Sequence, residues 1–570
     1  MTPHRERRWI VVLLLASACL DLYRLGAPAL FDQDESEYAQ IAVEMVQTGD
    51  PVTLHVNGHP WFVHPPLYMW LVAATGRALG FSEWTVRIWS VLFSLLAVYA
   101  TVLLGRALFD GRVGLIAGAI LAVTLQFLGQ SRLAVFDTVL LAWMLLAFHA
   151  FLQGYRSGRR ADYLRCFLFA GLATLTKGPI GALLPGLVIV AFVTLRRGWA
   201  RWREVPWGAG VAVYAIVGLS WYAAETVRHG GAFLVSNVGY YMVGRFFGVV
   251  EKHSAPWYFY LPVAALGGLP WTAFWPDAAR LHLRQWRSAD GSLVVLLWTA
   301  IPVLFYTAAQ TKLPGYIMPI FPFAAIGVAA FWGPILERGG ADPRVTRALG
   351  WLLGFVVVLL GAAWAVLGAL YPGPLRAAGG DLLLTAATLV VGLAAALVAG
   401  RRGSSRAAFA LVCAALAATW VAVLTWVLPL AEAQKPIRPL ASAIDATLRP
   451  GDRIVAYRMN TATSLIYYTG HRVEWAEMPG ELRRDLCAPG RVFLVITRDE
   501  LARLPWEPPP LEPVAQRVGT LVLEKPAALR CAASSGRIGP RYVVSAWLPS
   551  SRPASERRPP SPANARKTPS

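Results

Sequence analysis

The residues best suited to chemistry in this chain are the carboxylates of an acidic segment, residues 31–67. Six acidic residues and no lysine or arginine lie between Arg24 and Arg77, although the whole chain carries a net charge of +20. A carboxylate in such a segment can take a proton from a hydroxyl group as a general base. Asp34 also precedes Glu37 by three residues, which is the pattern of a helix-capping box. For Asp34, a chemical role and a capping role are both open on this segment alone.

A second set of residues supplies positive charge. The chain has only six lysines, and several cationic residues fall at the ends of apolar segments. Lysine and arginine at such ends can bind a phosphate, and a phosphate bound at a membrane edge is most simply part of a lipid. Each residue also has a structural explanation, such as an ion pair or a side chain that reaches the lipid headgroups. The candidate binding residues are His64, Arg132, Asp137, Lys177, Arg245, His253, Lys312 and Tyr316.

The elements that must position these residues are membrane-spanning helices. The chain is 56% hydrophobic and 15% charged, with a mean hydropathy of +0.48, and a spanning helix needs about 20 mainly apolar residues. The first apolar segment follows a basic start and is expected to be a retained signal anchor. We predict about thirteen spans, near residues 9–25, 84–105, 112–130, 138–155, 164–181, 182–195, 206–227, 256–275, 291–309, 314–333, 348–370, 381–400 and 406–430.

Arginine is concentrated in alternate loops between these segments. The positive-inside rule places such loops in the cytoplasm, which puts the N-terminus inside and the acidic segment outside. The odd number of spans then places the C-terminal part outside as well. Because the basic residues occupy short loops and form no single patch, the charge does not indicate a nucleic-acid partner.

The first external loop, residues 26–83, is predicted to be helical and to lie at the membrane interface. An apolar stripe at Tyr38, Ile41, Ala42, Met45 and Val46 predicts a short helix that ends near Gly49-Asp50. A second helix is expected over residues 65–79, with Pro65-Pro66 at its start.

The C-terminal part differs in character from the rest. Residues 1–433 form the predicted membrane domain, residues 434–548 a small external α/β domain, and residues 549–570 a disordered tail. Strands are expected at 453–457, 472–476, 491–497 and 519–524, with a short helix at 499–504. Cys487 and Cys531 are candidates for a disulfide in an external domain.

Several short motifs together resemble a known family. They are DESEYA (34–39), MVQTGD (45–50), HPPL (64–67), RLAVFD (132–137), TKGP (176–179) and KLPGYIMP (312–319). In this order the chain resembles the GT-C glycosyltransferases of the protein O-mannosyltransferase superfamily, and especially the branch with the bacterial lipid A aminoarabinose transferases. The resemblance covers most of residues 9–335.

The resemblance implies a GT-C fold, mainly α, in the bacterial inner membrane. It implies transfer of a sugar from a polyprenyl-phosphate donor to an external acceptor, either a glycolipid such as lipid A or a protein hydroxyl. Asp34 would be the general base, with Glu35 in support. Arg132, Lys177, Lys312 and Tyr316 would line the donor cavity, and Arg245 and His253 match the family's loop before a span.

The chain departs from the family just before Pro65. Where the aminoarabinose transferases have Glu-Lys, this chain has Val63-His64, which removes a metal ligand and a permanent cation. His64 could ligate a divalent metal with His253, or contact phosphate when protonated. Two other classes stay open: a multispan transporter or flippase, and a membrane assembly subunit without catalytic activity.

Overall fold

The protein is described by a computed structural model that covers residues 2–249, 253–459 and 463–528. The chain forms two compact units. The first consists of Met1–Leu448 and Met459–Val473, and the second of Arg449–Arg458 and the residues from Glu474 onward. The first unit is helical, and it contains every candidate functional residue predicted from the sequence.

The first half of the helical unit contains α1 (Pro3–Leu22), α2 (Asp34–Thr48), the hairpin strands β1 (His55–Val56) and β2 (His59–Pro60), α3 (Leu67–Leu79), α4 (Glu83–Leu108), α5 (Gly111–Ala122), α6 (Leu125–Gln130), α7 (Asp137–Ser157), α8 (Arg160–Lys177), α9 (Ile180–Leu195), α10 (Trp207–Gly218) and α11 (Ser220–His229).

The second half contains α12 (Gly231–Phe233), a π-helical segment (Leu234–Gly244), α13 (Arg245–Phe247), α14 (Tyr260–Gly267), α15 (Trp275–Gln285), α16 (Asp290–Ala308), α17 (Ile320–Arg338), α18 (Pro343–Leu370), α19 (Pro372–Arg401), α20 (Ser405–Ala422), α21 (Leu428–Glu432), α22 (Ile437–Asp445) and α23 (Thr463–Thr469).

Seven helices in the described ranges are long and apolar enough to cross a membrane. They are α4, α7, α16, α17, α18, α19 and the run from Ser405 to Glu432. Helices α10 and α11 meet at 52° and make an eighth if they form one broken span. The protein is therefore a multispan membrane protein, as predicted, but the count of thirteen spans is not confirmed.

Two further predicted spans are interrupted. The segment expected over 112–130 is divided into α5 and α6, and α5 alone has 12 residues, or about 18 Å of helix. The segment expected over 256–275 ends as an α-helix at Gly267, close to Pro270. Proline has no N–H group to continue an α-helix and glycine weakens one, so apolar composition alone overestimates the length of these helices.

The first external loop has the predicted helices. Helix α2 ends at Thr48, and Gly49 adopts a left-handed conformation with a φ of 70°, which glycine tolerates without strain. Tyr38, Ile41, Ala42 and Met45 are buried as the apolar stripe predicted. The capping prediction for Asp34 is wrong: the N-cap residue is Gln33, and no side chain caps this helix.

The second unit is built on a five-stranded sheet in the order β4-β3-β5-β7-β6. Its elements are β3 (Arg453–Tyr457), β4 (Val473–Ala476), α24 (Pro479–Cys487), β5 (Val492–Thr497), α25 (Arg498–Ala502), β6 (Glu512–Arg517) and β7 (Thr520–Lys525). β3 and β5 are parallel, and β7 is antiparallel to both β5 and β6. The α/β character, the four predicted strands and the short helix are confirmed.

Two predictions fall outside the residues that the structure describes. Cys531 lies beyond residue 528, so its pairing with Cys487 stays a prediction. The tail expected over 549–570 lies there as well.

Candidate active site

Glu35 fixes the start of helix α2. Its carboxylate accepts two hydrogen bonds of 2.8 Å from Arg87, and its oxygens also accept from the backbone N–H groups of Ala134 (2.6 Å) and Phe31 (3.0 Å). Both charged side chains are almost completely buried. A buried pair of this kind is stable only when its remaining polar atoms are bonded, and here Arg87 also donates to the carbonyl groups of Leu25 and Pro28. Glu35 is therefore a positioning residue beside Asp34.

Asp34 is the first residue of α2, and its carboxylate faces the space beside the helix. The side chain is exposed, and the hydroxyl of Tyr38 donates to Oδ1 over 3.4 Å. Although the side chain keeps access to solvent, the protein atoms around its carboxylate raise the pKa of Asp34 by desolvation. The nearby charge of Asp137 raises this pKa further, while Lys177, Tyr38 and Arg245 lower it. Asp34 thus lies in a cleft with two cations and one other carboxylate within electrostatic range.

Asp137 and Lys177 form an ion pair next to Asp34. Asp137 begins α7 and Lys177 ends α8, and the distance from Lys177 Nζ to Asp137 Oδ1 is 2.5 Å. Lys177 Nζ also lies 4.8 Å from the centre of the Phe136 ring and 5.3 Å from that of Tyr316. A small pocket lies against these groups, lined in part by Asp137, Lys177, Tyr316 and Tyr306.

Arg245 supplies the second positive charge. It follows the π-helical segment, and its guanidinium group lies 5.2 Å from the centre of the Tyr241 ring. Its charge acts on the pKa of both Asp34 and His64. Lys177 and Arg245 come from distant parts of the chain, yet the charges of both lower the pKa of the same carboxylate, that of Asp34. Such a pair of cations can bind a phosphate group.

His64 lies among aromatic rings. The ring centre of Phe136 is 4.7 Å from that of His64, and the ring centre of Trp61 is 5.9 Å away. Burial lowers the pKa of His64 well below its ordinary value, and the charges of Arg245 and Lys177 lower it further. His64 is thus neutral near pH 7. The predicted phosphate contact by a protonated His64 does not suit these surroundings.

The described residues do not form the divalent metal site that His64 and His253 suggested. Within the described ranges no group of three or more histidine, cysteine, aspartate or glutamate side chains could hold a metal ion. Among the same residues, Asp34, Glu37 and Asp137 are the carboxylates whose charges act on the pKa of Tyr38, and Asp137 is bonded to Lys177.

Arg132 has a different position from the one predicted. Its guanidinium group donates to the carbonyl groups of Leu20 (3.0 Å), Asp21 and Tyr23 (2.7 Å) at the end of α1. Those carbonyls lack partners within the helix, so Arg132 satisfies the C-terminus of α1. The structure does not bring its guanidinium group to the phosphate site.

Lys312 and His253 belong to a buried loop contact. Lys312 Nζ donates to the carbonyl of Ala309 over 2.5 Å, and its backbone N–H donates to the carbonyl of His253 over 3.0 Å. The neighbouring N–H of Thr311 donates to the carbonyl of Arg245 over 3.2 Å. These bonds join the loop before α17 to the segment that carries Arg245. The loop that contains Lys312 is therefore bonded to the backbone of Arg245, and the Lys312 ammonium group is bonded within that loop.

Sequence reasoning missed two groups at the site. Tyr38 was assigned only to the apolar stripe, although it lies four residues after Asp34 and thus on the same helix face. Arg87 lies inside a predicted span, and an ionisable residue in such a segment is itself a sign of a buried partner. Both signals were present in the sequence.

The comparisons with known proteins agree with this architecture. The family model "Dolichyl-phosphate-mannose-protein mannosyltransferase" matches residues 63–222. Relatives include the undecaprenyl phosphate-alpha-4-amino-4-deoxy-L-arabinose arabinosyl transferases of Enterobacter sp. (27% identity; 64% of this chain and 66% of the relative) and Pseudomonas aeruginosa (33% identity; 56% and 59%). That of Erwinia tasmaniensis is 27% identical over 87% of this chain and 90% of its own.

A solved structure supports the fold directly. ArnT from Cupriavidus metallidurans, determined with bound undecaprenyl phosphate, superposes with a TM-score of 0.78 at 22% identity over 92% of this chain and 99% of its own. The chain therefore has the GT-C glycosyltransferase fold, which confirms the resemblance seen in the sequence. Within that fold class it is ArnT-like. The matches span 66% and 59% of the lengths of the first two relatives.

Proposed function

We propose that this protein is an inverting membrane glycosyltransferase that takes a sugar from a polyprenyl-phosphate donor. The observation that carries the proposal is the environment of Asp34. Its carboxylate does not cap α2, it is accessible from the cleft, and Lys177 and Arg245 lie within electrostatic range. A base beside two cations suits attack by a hydroxyl group on a carbon that carries a phosphate.

The reaction needs one displacement. The acceptor hydroxyl attacks C1 of the sugar as Asp34 takes its proton, the new C1–O bond forms, and the bond from C1 to the phosphate oxygen breaks. Lys177 and Arg245 stabilise the negative charge that gathers on the departing polyprenyl phosphate. A single displacement inverts the configuration at C1, and Asp34 later releases the proton to water.

Aromatic side chains beside Asp34 exclude water from the cleft. Trp61, Phe136 and Tyr38 lie together, with ring centres of Tyr38 and Phe136 5.0 Å apart and of Tyr38 and Trp61 6.1 Å apart. Aromatic faces exclude water from the reacting groups, which strengthens electrostatic interactions there.

The arginine-rich alternate loops and the relatives support a proposal for the location and the acceptor. We propose the bacterial inner membrane, with the acidic segment on the outer side. The acceptor is the hydroxyl group of an envelope glycolipid such as lipid A or of a secreted protein. Both classes of acceptor are supplied in the experiment.

The experiment measures release of polyprenyl phosphate by detergent-purified protein. A panel of polyprenyl-phosphate sugars is supplied together with either a glycolipid or a protein fraction of the envelope. Asp34→Asn is expected to lower release by about 100- to 10,000-fold, the range of general base catalysis. Asp50→Asn is the matched control, because Asp50 is bonded to Arg228 just beyond the end of α2. Equal release by wild type and Asp34→Asn would reject Asp34 as the base.

A further inference from the structure

A cavity of about 300 Å³ lies among α7, α8, α9 and α10, away from the candidate active site. Its walls are almost entirely apolar and include Phe151, Cys166, Phe167, Pro185, Ile189 and Val193. One water molecule occupies about 30 Å³ of liquid, and an apolar cavity of about 150 Å³ stays dry and binds apolar molecules. Water is thus a poor occupant of this larger cavity.

The cavity extends along α8 from Tyr163 to Ala170, and Lys177 does not line it. Helix α8 has 18 residues, which corresponds to about 27 Å, and Lys177 is its last residue. The cavity wall and the cation of the candidate active site are therefore formed by different residues of α8.

The cavity opens on the outer surface of the helices. Val190 and Trp207 both line it, and both are 43% exposed. Helices α9 and α10 each pack against α8, and the cavity lies between them. Trp199, Trp202 and Trp207 stack in series, with ring centres 5.2 and 4.8 Å apart. Tryptophan is enriched where a protein meets the lipid headgroups, so the opening lies at the edge of a bilayer.

Positive charge surrounds this opening. Arg201 lines the cavity, and its guanidinium group lies 5.0 Å from the centre of the Tyr155 ring. The two segments beside the opening, 156–165 and 196–204, contain eight arginines and two acidic residues. One of the two, Asp162, is bonded to Arg165. Arginine clusters next to a membrane attract anionic lipid headgroups.

We propose that this cavity is a binding site for an anionic glycerophospholipid from the leaflet on the arginine-rich side. One acyl chain fills the cavity between α9 and α10, and the phosphate of the headgroup binds at Arg201. Bilayer lipid is the apolar molecule in direct reach of the opening, and the arginines select the anionic lipids within that leaflet. The site is distinct from the proposed donor site and is independent of the proposed reaction.

Gly186 offers a way to close the cavity. Gly186 lines it, and an added Cβ would meet no atom within 4 Å, so Gly186→Phe adds a large side chain at the cavity wall, where there is room for its Cβ. Leu187→Phe is the matched control, because Leu187 is an exposed neighbour on the same helix and does not line the cavity.

The test is native mass spectrometry of delipidated full-length protein with phosphatidylglycerol or phosphatidylcholine of identical acyl chains. We expect wild type and Leu187→Phe to retain phosphatidylglycerol at least fivefold more than Gly186→Phe does. Arg201→Gln is expected to bind both lipids alike. Equal retention by Gly186→Phe and Leu187→Phe would show surface lipid only. Because the proposed donor site itself binds polyprenyl phosphate, a different occupant would be identified if Gly186→Phe lost polyprenyl phosphate and kept phosphatidylglycerol. Either result overturns the proposal.

Cys166 gives a second measurement that needs no cavity-filling variant. It is a free thiol that lines the cavity, and replacing the other four cysteines by serine leaves it as the one thiol to be followed. Saturating phosphatidylglycerol is expected to slow its reaction with an apolar maleimide at least tenfold. An unchanged rate would contradict occupation of the cavity by lipid.

Discussion

At the scale of single residues, the proposed chemistry depends on where the Asp34 carboxylate points. The sequence allowed a helix cap and a base, because aspartate at a helix start serves either role. Gln33 takes the N-cap position with a φ of 69°, a left-handed conformation that is uncommon for residues other than glycine. This turn leaves the Asp34 carboxylate free of the first N–H groups of α2, and only the structure could reveal that.

The raised pKa of Asp34 leads to a prediction of pH dependence. The base must be ionised to take a proton, so transfer is full above the pKa of Asp34 and is lost as the pH falls through it. Because burial and Asp137 raise that pKa, the acidic limb of kcat/KM should lie above the ordinary aspartate value of about 3.9. Lys177→Met removes a charge that lowers the pKa and should move the limb to higher pH.

The pH profile of kcat/KM for the donor tests this. Asp50→Asn should leave the acidic limb in place, since its carboxylate is bonded to Arg228 outside the cleft. The assigned charges would be contradicted if the acidic limb of kcat/KM lay at the ordinary aspartate pKa. They would also be contradicted if Lys177→Met moved this limb to lower pH.

Lys177 and Arg132 should behave differently, although the sequence placed them together. Lys177→Met removes a cation proposed to bind the donor phosphate. A charge-assisted hydrogen bond contributes about 1.5–3 kcal/mol, so we expect kcat/KM for the donor to fall about 10- to 150-fold. Arg132→Met should instead lower the melting temperature and leave the donor KM of the folded protein unchanged, because Arg132 bonds to the end of α1. A raised donor KM for Arg132→Met would instead show that Arg132 contacts the donor phosphate.

At the scale of elements, the Glu35–Arg87 pair joins the start of α2 to α4. Removing one partner of a buried ion pair leaves a buried charge and costs about 3–5 kcal/mol. Arg87→Gln should therefore lower the free energy of unfolding by about that amount, seen as a lower melting temperature in detergent. Arg106→Gln is the control, since Arg106 is exposed and lies 3.5 Å from Glu6. Equal melting temperatures for the two variants would show that the pair does not hold α2.

Most elements of the fold were predictable because their signals are local. Hydrophobic length identified α4, α7 and α16 to α20, and runs of β-branched and aromatic residues identified β3 and β5. The interruptions at Ala122 and Gly267 were not predicted, because spans were assigned by apolar length and the residues beyond each break are also apolar. The close contact of α4 with α5 was not predictable either. An added Cβ at Gly105 would lie 2.7 Å from Gly114 Cα, and a sequence does not show which glycines meet.

The sequence predicted many of the residues of the candidate site, but it did not predict how their side chains are arranged. The spacing of the motifs correctly brought Asp34, Asp137, Lys177 and Tyr316 into one region, since each lies at or near the end of a helix on the same side. It could not tell which cations face the cleft, because Arg132 and Lys312 have the same sequence setting as Lys177. Their partners are backbone carbonyl groups, which a sequence does not distinguish.

At the scale of the whole molecule, the residues after the last span contribute to the helical unit. Helices α22 and α23 belong to that unit, and α23 packs against α2. Ser36 and Thr463 are hydrogen-bonded at 2.5 Å, and the hydroxyl of Tyr468 accepts from the N–H of Leu30 at 2.8 Å. A chain ending near Ala433 would lose these contacts beside Asp34. Loss of activity in such a truncated protein would therefore not show that the five-stranded sheet takes part in the reaction.

The charge distribution predicts which loops of the protein face the cytoplasm and which face the outer side of the membrane. Arginine lies in alternate loops, so the segment with Arg159 should face the cytoplasm and the acidic segment with His59 the outer side. Arg159 and His59 are both exposed, so a cysteine at either position is accessible to reagent from its own side. In a background with the native free cysteines replaced, a membrane-impermeant maleimide should label His59→Cys in intact cells and Arg159→Cys only after the membrane is opened. The reverse pattern would put Asp34 in the cytoplasm, where a donor exposed only on the outer leaflet could not reach it.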